Sequence, residues 1–209
     1  MHTSIGRWIG FLLLAATLAV PAMCEGYKGR VVDGTTGQPI EGAYVIGRWE
    51  GGGGFVVSSS GCTLAIDRSN AKGEFELVSG TGFWSKMFGL RSEPFVFFYR
   101  RGYIEPGNSP AAGEPWKLIP DRSSAYDRIR HLVKIQGFID CGVEEVTSHR
   151  TEVKPIYRTM ISEATDLATT RQERIEASKL SFWLDIVEVG WHEARERGRT
   201  RWELLQRER

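Results

Sequence analysis

The hydrophobic period of this chain changes near residue 120, and that change sets its fold class. Before it, short alternating runs stop at glycine, asparagine and aspartate; after it, apolar residues recur at spacings of three and four. A period of two puts successive side chains on opposite faces of a strand, and a period near 3.6 makes one face of a helix. The sequence therefore predicts a mainly β part over 25–120 and a helical C-terminal part over 121–209. Residues 1–24 stand apart as a leader.

The β part reads as strands and turns. Tyr27 to Asp33 alternates and stops at Asp33-Gly34-Thr35-Thr36-Gly37, where glycine and aspartate supply turn conformations and side-chain-to-backbone bonds. From Gln38 a second strand begins, with Ala43, Val45 and Gly47 on one face and Tyr44 and Ile46 on the other. Asn70-Ala71-Lys72-Gly73 is a tight turn with Gly73 at a positive-φ position, after which Phe75 and Leu77 point in and Glu74 and Glu76 out. Pro94 to Tyr99 is the most apolar short run after the leader, as expected of a strand buried on both faces, and Arg101-Gly102-Tyr103 ends it. The proline-rich stretch from Glu105 to Pro120 reads as a loop. Several short strands with turns between them predict a β-sandwich or barrel.

Four segments occur in the order of a known family. Gly29-Arg30-Val31-Val32-Asp33 and Thr36-Gly37-Gln38-Pro39-Ile40-Glu41-Gly42-Ala43-Tyr44-Val45 form its opening. Asn70-Ala71-Lys72-Gly73-Glu74-Phe75 is similar to its hairpin, and Arg101-Gly102-Tyr103 to the end of a late strand. The region from Tyr27 to Leu118 thus resembles the carboxypeptidase regulatory-like domain, which implies an Ig/transthyretin-like sandwich of seven strands. Ser69 stands where the family has aspartate, and a long glycine-rich passage separates the second and third strands. The resemblance implies a docking, stabilising or ligand-presenting module and brings no catalytic residues.

After Pro120 the signal is helical. Ser123-Ser124 offers a cap for a helix running through His131 to Ile135. Ile156, Met160, Ala164, Leu167, Ala168, Arg171 and Ile175 share one helical face, and Leu180, Trp183, Ile186 and Val187 continue the pattern. From Glu193 on, six arginines alternate with four glutamates, and Glu193 and Arg197 stand at i, i+4. Two or three helices are expected between Ser123 and Glu208, packed on the sandwich or on a partner. The near-balance of charge in this tail, and the formal net charge of +1 for the whole chain, give no reason to expect a nucleic-acid partner.

The leader has a positive start ending at Arg7, an uncharged run of sixteen residues from Trp8 to Met23, and a small-residue zone around Pro21-Ala22. A spanning helix needs about 20 apolar residues, so the run reads as a secretory signal peptide cut near residues 22–24. Two processing routes fit: a cut after Ala22 or within the next few residues, or lipidation of Cys24, although Met23 is bulky for a lipobox. The protein is thus expected in the periplasm or held to a membrane by a lipid anchor. In an oxidising compartment Cys62 and Cys141 are disulfide candidates; the alternative is two buried thiols. Closing a loop of about 80 residues is worth roughly 4 kcal/mol in the chain-entropy picture.

No enzyme motif is complete. Gly51 to Gly54 lack the lysine and hydroxyl residue that a phosphate-binding loop needs, and read as a flexible hairpin tip. His149-Arg150-Thr151-Glu152 spells the H-x-x-E zinc pair of the carboxypeptidases, with His192 the one later histidine to join it. Trp84 and Phe88 sit in an apolar stretch, Thr81 to Arg91, that is either a core-covering flap or a patch for a small apolar ligand or peptide. The expectation is a non-catalytic exported envelope protein without cofactor, whose partner is another envelope protein or a surface polymer. An apolar-ligand or peptide binder using Trp84 and Phe88, and a zinc hydrolase using His149, Glu152 and His192, are the competing readings.

Overall fold

The computed structural model describes residues 26–50, 62–78, 94–107, 110–111, 113–141 and 143–207. The leader with Cys24, the glycine run 51–54, and Trp84 and Phe88 lie outside them. The described residues form two small sheets of seven strands in all, followed by five helices, a mixed β/α fold.

The strands are β1 (Tyr27–Asp33), β2 (Tyr44–Glu50), β3 (Cys62–Arg68), β4 (Glu74–Leu77), β5 (Phe95–Tyr99), β6 (Tyr103–Ile104) and β7 (Trp116–Pro120). One sheet has the order β4-β1-β7-β6 and the other β3-β2-β5. The Asn70–Gly73 turn joins β3 to β4 with Gly73 at φ 76°, and the Asn70 carboxamide oxygen accepts from Lys72 and Glu74 N–H. Ser69 has its own task there: its buried hydroxyl donates to the Ile40 carbonyl and accepts from Ala43 N–H.

Residues 116–120, expected as loop, are a strand. Trp116 and Leu118 alternate with Lys117, and β7 runs parallel to β1 from Val31↔Trp116 to Asp33↔Leu118. Prolines 115 and 120 hid it because they bracket the run, where a missing N–H interrupts no internal ladder bond.

The three-stranded sheet is apolar on both faces. Val45 of β2, Ala65 of β3 and Phe98 of β5 belong to a cluster with Val31, Phe75, Leu77 and Leu118 of the other sheet. Their sequence neighbours Ile46, Leu64 and Tyr99 point the other way, into a second cluster built with the helices. The expected split of Ala43 and Val45 from Tyr44 and Ile46 is thus what the structure shows, and each face has its own cover.

Five helices, not two or three, follow: α1 (Ala125–Ile139), α2 (Val143–Ser148), α3 (Arg150–Leu167), α4 (Arg171–Val189) and α5 (Trp191–Arg207). Ser124 caps α1, accepting from Asp127 N–H at 3.1 Å. Ile129, Leu132, Ile135 and Ile139 line its buried face and meet Val153, Ile156, Tyr157 and Met160 of α3. The expected continuous face from Ile156 to Ile175 is broken. Thr170 and Glu173 form a reciprocal capping box that starts α4, so Ala168 to Thr170 link two helices. Periodicity missed the break because Leu167, Ala168, Arg171 and Ile175 stay in phase across it. Gly190, at φ 85°, ends α4 and turns the chain into α5.

Candidate functional site

Where an exposed strand edge leaves backbone N–H groups unpaired, another chain can pair with it, so each edge of a sheet needs a cover. On three edge strands a carboxylate takes an outward N–H. Asp67 accepts from Glu76 N–H on the outer side of β4 at 2.7 Å. Glu145 of α2 accepts from Leu64 N–H on β3 at 2.8 Å, and Glu105 accepts from Phe98 N–H on β5. Each oxygen stands where the carbonyl of a further strand would be. Burial pushes the Glu105 carboxyl up to about 7 against the opposing pull of the Phe98 N–H.

The disulfide pair lies beside the β3 cap. Cys62 opens β3 and Cys141 follows α1, with Cα atoms 5.3 Å apart and the sulfurs bonded. The bond ties the start of the edge strand to the helices that cover its sheet, so the bridged alternative for these cysteines is the one seen.

A second polar cluster sits at the junction of strands and helices. Arg128 of α1 is buried, and its guanidinium donates to Glu163 of α3 at 2.9 Å and to the Tyr103 and Arg100 carbonyls. It also pairs with Asp121 at 3.2 Å. Glu163 in turn accepts from the Tyr99 hydroxyl at 2.9 Å and from Gly102 N–H at 3.2 Å. Burial opposes ionisation of Asp121, yet the Ser123 bonds and Arg128 together hold it below the usual carboxylate range. Burial, and then the Glu163 carboxylate, raise the Tyr99 hydroxyl far above its ordinary value. Nearby, burial and the Arg128 charge lower His131. The site holds charge in place: a guanidinium between two carboxylates, spending its donors on the turn that ends β5.

The zinc candidates are placed as follows. His149 precedes α3, with Nε2 3.3 Å from Glu145, the residue that caps β3. Glu152 accepts from the Thr151 hydroxyl, and His192 is exposed in the first turn of α5. Among the described residues no group of three histidine, cysteine or acidic side chains is arranged to hold a metal ion. The Glu193–Arg197 pair is made, at 2.6 Å.

A groove of about 1130 Å³ runs over β4 and β1 to the segment that leads into β7. Lys28, Arg30, Glu74, Glu76 and Glu114 line it, so its charge is mixed, and Tyr27, Phe75 and Trp116 add aromatic rings. Such a lining can hold a polar chain by hydrogen bonds and paired charges. Sequence reasoning did not find this groove, because its wall was taken as plain loop. Pro115 before Trp116 was the available signal that pairing with β1 begins only there.

No family model, no curated protein and no solved structure matches this chain.

Proposed function

We propose that this chain is a non-catalytic exported protein of the cell envelope, whose strand half docks onto a partner and whose helices brace it. The two sheets then form a transthyretin-like sandwich of the kind the carboxypeptidase regulatory-like domain has. The apolar cluster shared by β1, β4 and β7 with β2, β3 and β5 supports that arrangement. The observation that carries the functional reading is how the ionisable side chains are used. Asp67, Glu105 and Glu145 cap strand edges, and Arg128, Asp121 and Glu163 pin helices to a turn. Each of these groups acts in assembly. The Cys62–Cys141 bond supports an oxidising compartment, where such bonds persist.

The test is cell fractionation with mass analysis of the mature protein. The expected result is a processed chain outside the cytosol, beginning near residues 22–24 and carrying no alkylatable Cys62 or Cys141 before reduction. A lipid mass on Cys24 that disappears with globomycin would place it on a membrane. Recovery from the cytosol with Met1 in place and both thiols free would overturn the reading.

A further inference from the structure

The direction of each backbone group along β1 follows from its pairing. Tyr27 to Arg30 pair antiparallel with β4, in the register Lys28↔Glu76 and Arg30↔Glu74. Glu76 N–H points away from β1, to Asp67, and Glu74 N–H and C=O point away as well, to Asn70. In an antiparallel ladder, directly opposite residues either both face each other's backbone groups or both turn them outward. Lys28 and Arg30 therefore turn their N–H and C=O groups to the side of β1 opposite β4.

That side is occupied only in part. β7 joins β1 at Val31↔Trp116, and the Gly34 N–H bond to the Leu118 carbonyl continues the parallel pattern. Among the described residues none pairs with the Lys28 end. The approach to β7 explains why. Pro115 has no N–H to give, and just before it the chain makes a turn, with Glu114 N–H bonded to the Ala111 carbonyl and Gly113 at φ 86°. The proline and the turn bend the incoming chain away, and the 1130 Å³ groove lies between.

On the other edge strands Asp67, Glu145 and Glu105 each take one outward N–H, and β6 is two residues long. From this edge accounting we propose that the Lys28–Arg30 edge of β1 receives an extended segment of a partner polypeptide as an added strand. The proposal rests on the docking reading above and names its contact. The groups on offer are the N–H and C=O of Lys28 and the N–H of Arg30, since the parallel register gives the Arg30 carbonyl to Trp116 N–H; an extended backbone matches their spacing of about 6.8 Å over two residues. A second folded copy fits poorly, because it would bring its own residues 110–116 against the same edge. The lining suits a strand with side chains of both signs: Lys28 and Arg30 stand beside Glu74, Glu76 and Glu114.

The test uses the purified protein and phage-displayed random octapeptides. Selected peptides are measured on the wild type, on Lys28→Ala, and on Lys28→Pro, which removes one outward N–H. The expected result has three parts: binders lose on Lys28→Ala only the few-fold that an exposed charge is worth, lose at least tenfold on Lys28→Pro, and protect the Lys28 and Arg30 amides from hydrogen exchange in the wild type. N-methylating alternate peptide amides should abolish binding, which keeps the test decisive if Lys28→Pro fails to fold. Failure to select any binder, binders indifferent to Lys28→Pro, unprotected Lys28 and Arg30 amides, or protection that appears only with dimer formation would each overturn the proposal. A cytosolic location would sink the envelope reading and leave this edge result untouched, so the two failures are separable.

Discussion

Replacing Arg128 by methionine keeps an unbranched apolar stem and removes every bond its guanidinium makes. Two carboxylates, Asp121 and Glu163, lose their counter-charge while their side chains stay 7% and 6% exposed. The Arg100 and Tyr103 carbonyls lose a donor. Breaking a buried pair by deleting one partner costs about 3–5 kcal/mol, because the remaining charge is left uncompensated. Against a total stability of roughly 5–15 kcal/mol, a loss of that size is readable in a urea titration at neutral pH. Combining Arg128→Met with Glu163→Gln should recover part of it, since the new amide oxygen can still accept from the Tyr99 hydroxyl and carries no charge. The double-mutant cycle should give a coupling of about 2 kcal/mol or more, within the range for groups in direct contact. Additive single effects, or a loss under about 1 kcal/mol for Arg128→Met, would refute the claim that this guanidinium joins strands to helices.

Three further outcomes follow from described geometry. The folded protein binds a proton at Glu105 more tightly than the unfolded chain does, so this residue makes stability fall as pH rises from about 4.5 to about 7. Glu105→Gln, whose amide oxygen can still accept from Phe98 N–H, should therefore gain about 2 kcal/mol on the wild type between pH 5 and pH 8, with some solvent contact at the carboxyl discounted; a difference that does not change with pH would contradict this. Reducing the Cys62–Cys141 bond, which spans 79 positions, should lower the stability in urea by about 4–5 kcal/mol, and no shift on reduction would remove the bond from the account. Gly73→Ala puts a β-carbon at φ 76° against the Val31 carbonyl oxygen and should cost at least about 2 kcal/mol by thermal melting, against little for Ala71→Gly in the same turn.

Much of the strand half was legible because alternation is a local signal. Val45 and Ile46, or Phe98 and Tyr99, declare their opposite faces within two residues. What alternation could not say is what covers each face: that Ile46, Leu64 and Tyr99 meet α1 and α3 depends on contacts between segments far apart in the sequence. β7 was lost because proline was taken as a mark of loop, although its place at the ends of the run is harmless. The α3–α4 break was written in the sequence as Thr170 with Glu173, and was passed over because the apolar phase carried on through it. The groove had no linear signature, since Lys28 and Glu114 become neighbours only when β7 lies down beside β1. The edge caps were equally silent: an aspartate or glutamate in a loop looks solvated until the strand beside it is known.

The two-sided character of β2 bears on how this chain could be cut. A fragment ending at Pro120 would retain all seven described strands yet strip the cover from Ile46, Leu64 and Tyr99, leaving a bare oily wall on an otherwise intact sheet. The complementary fragment beginning at Ala125 would in turn lack the sheet its helices pack on. Shortened versions made for expression are therefore expected to clump unless α1 and α3 are kept, whatever the merits of the strand half as a recognisable unit.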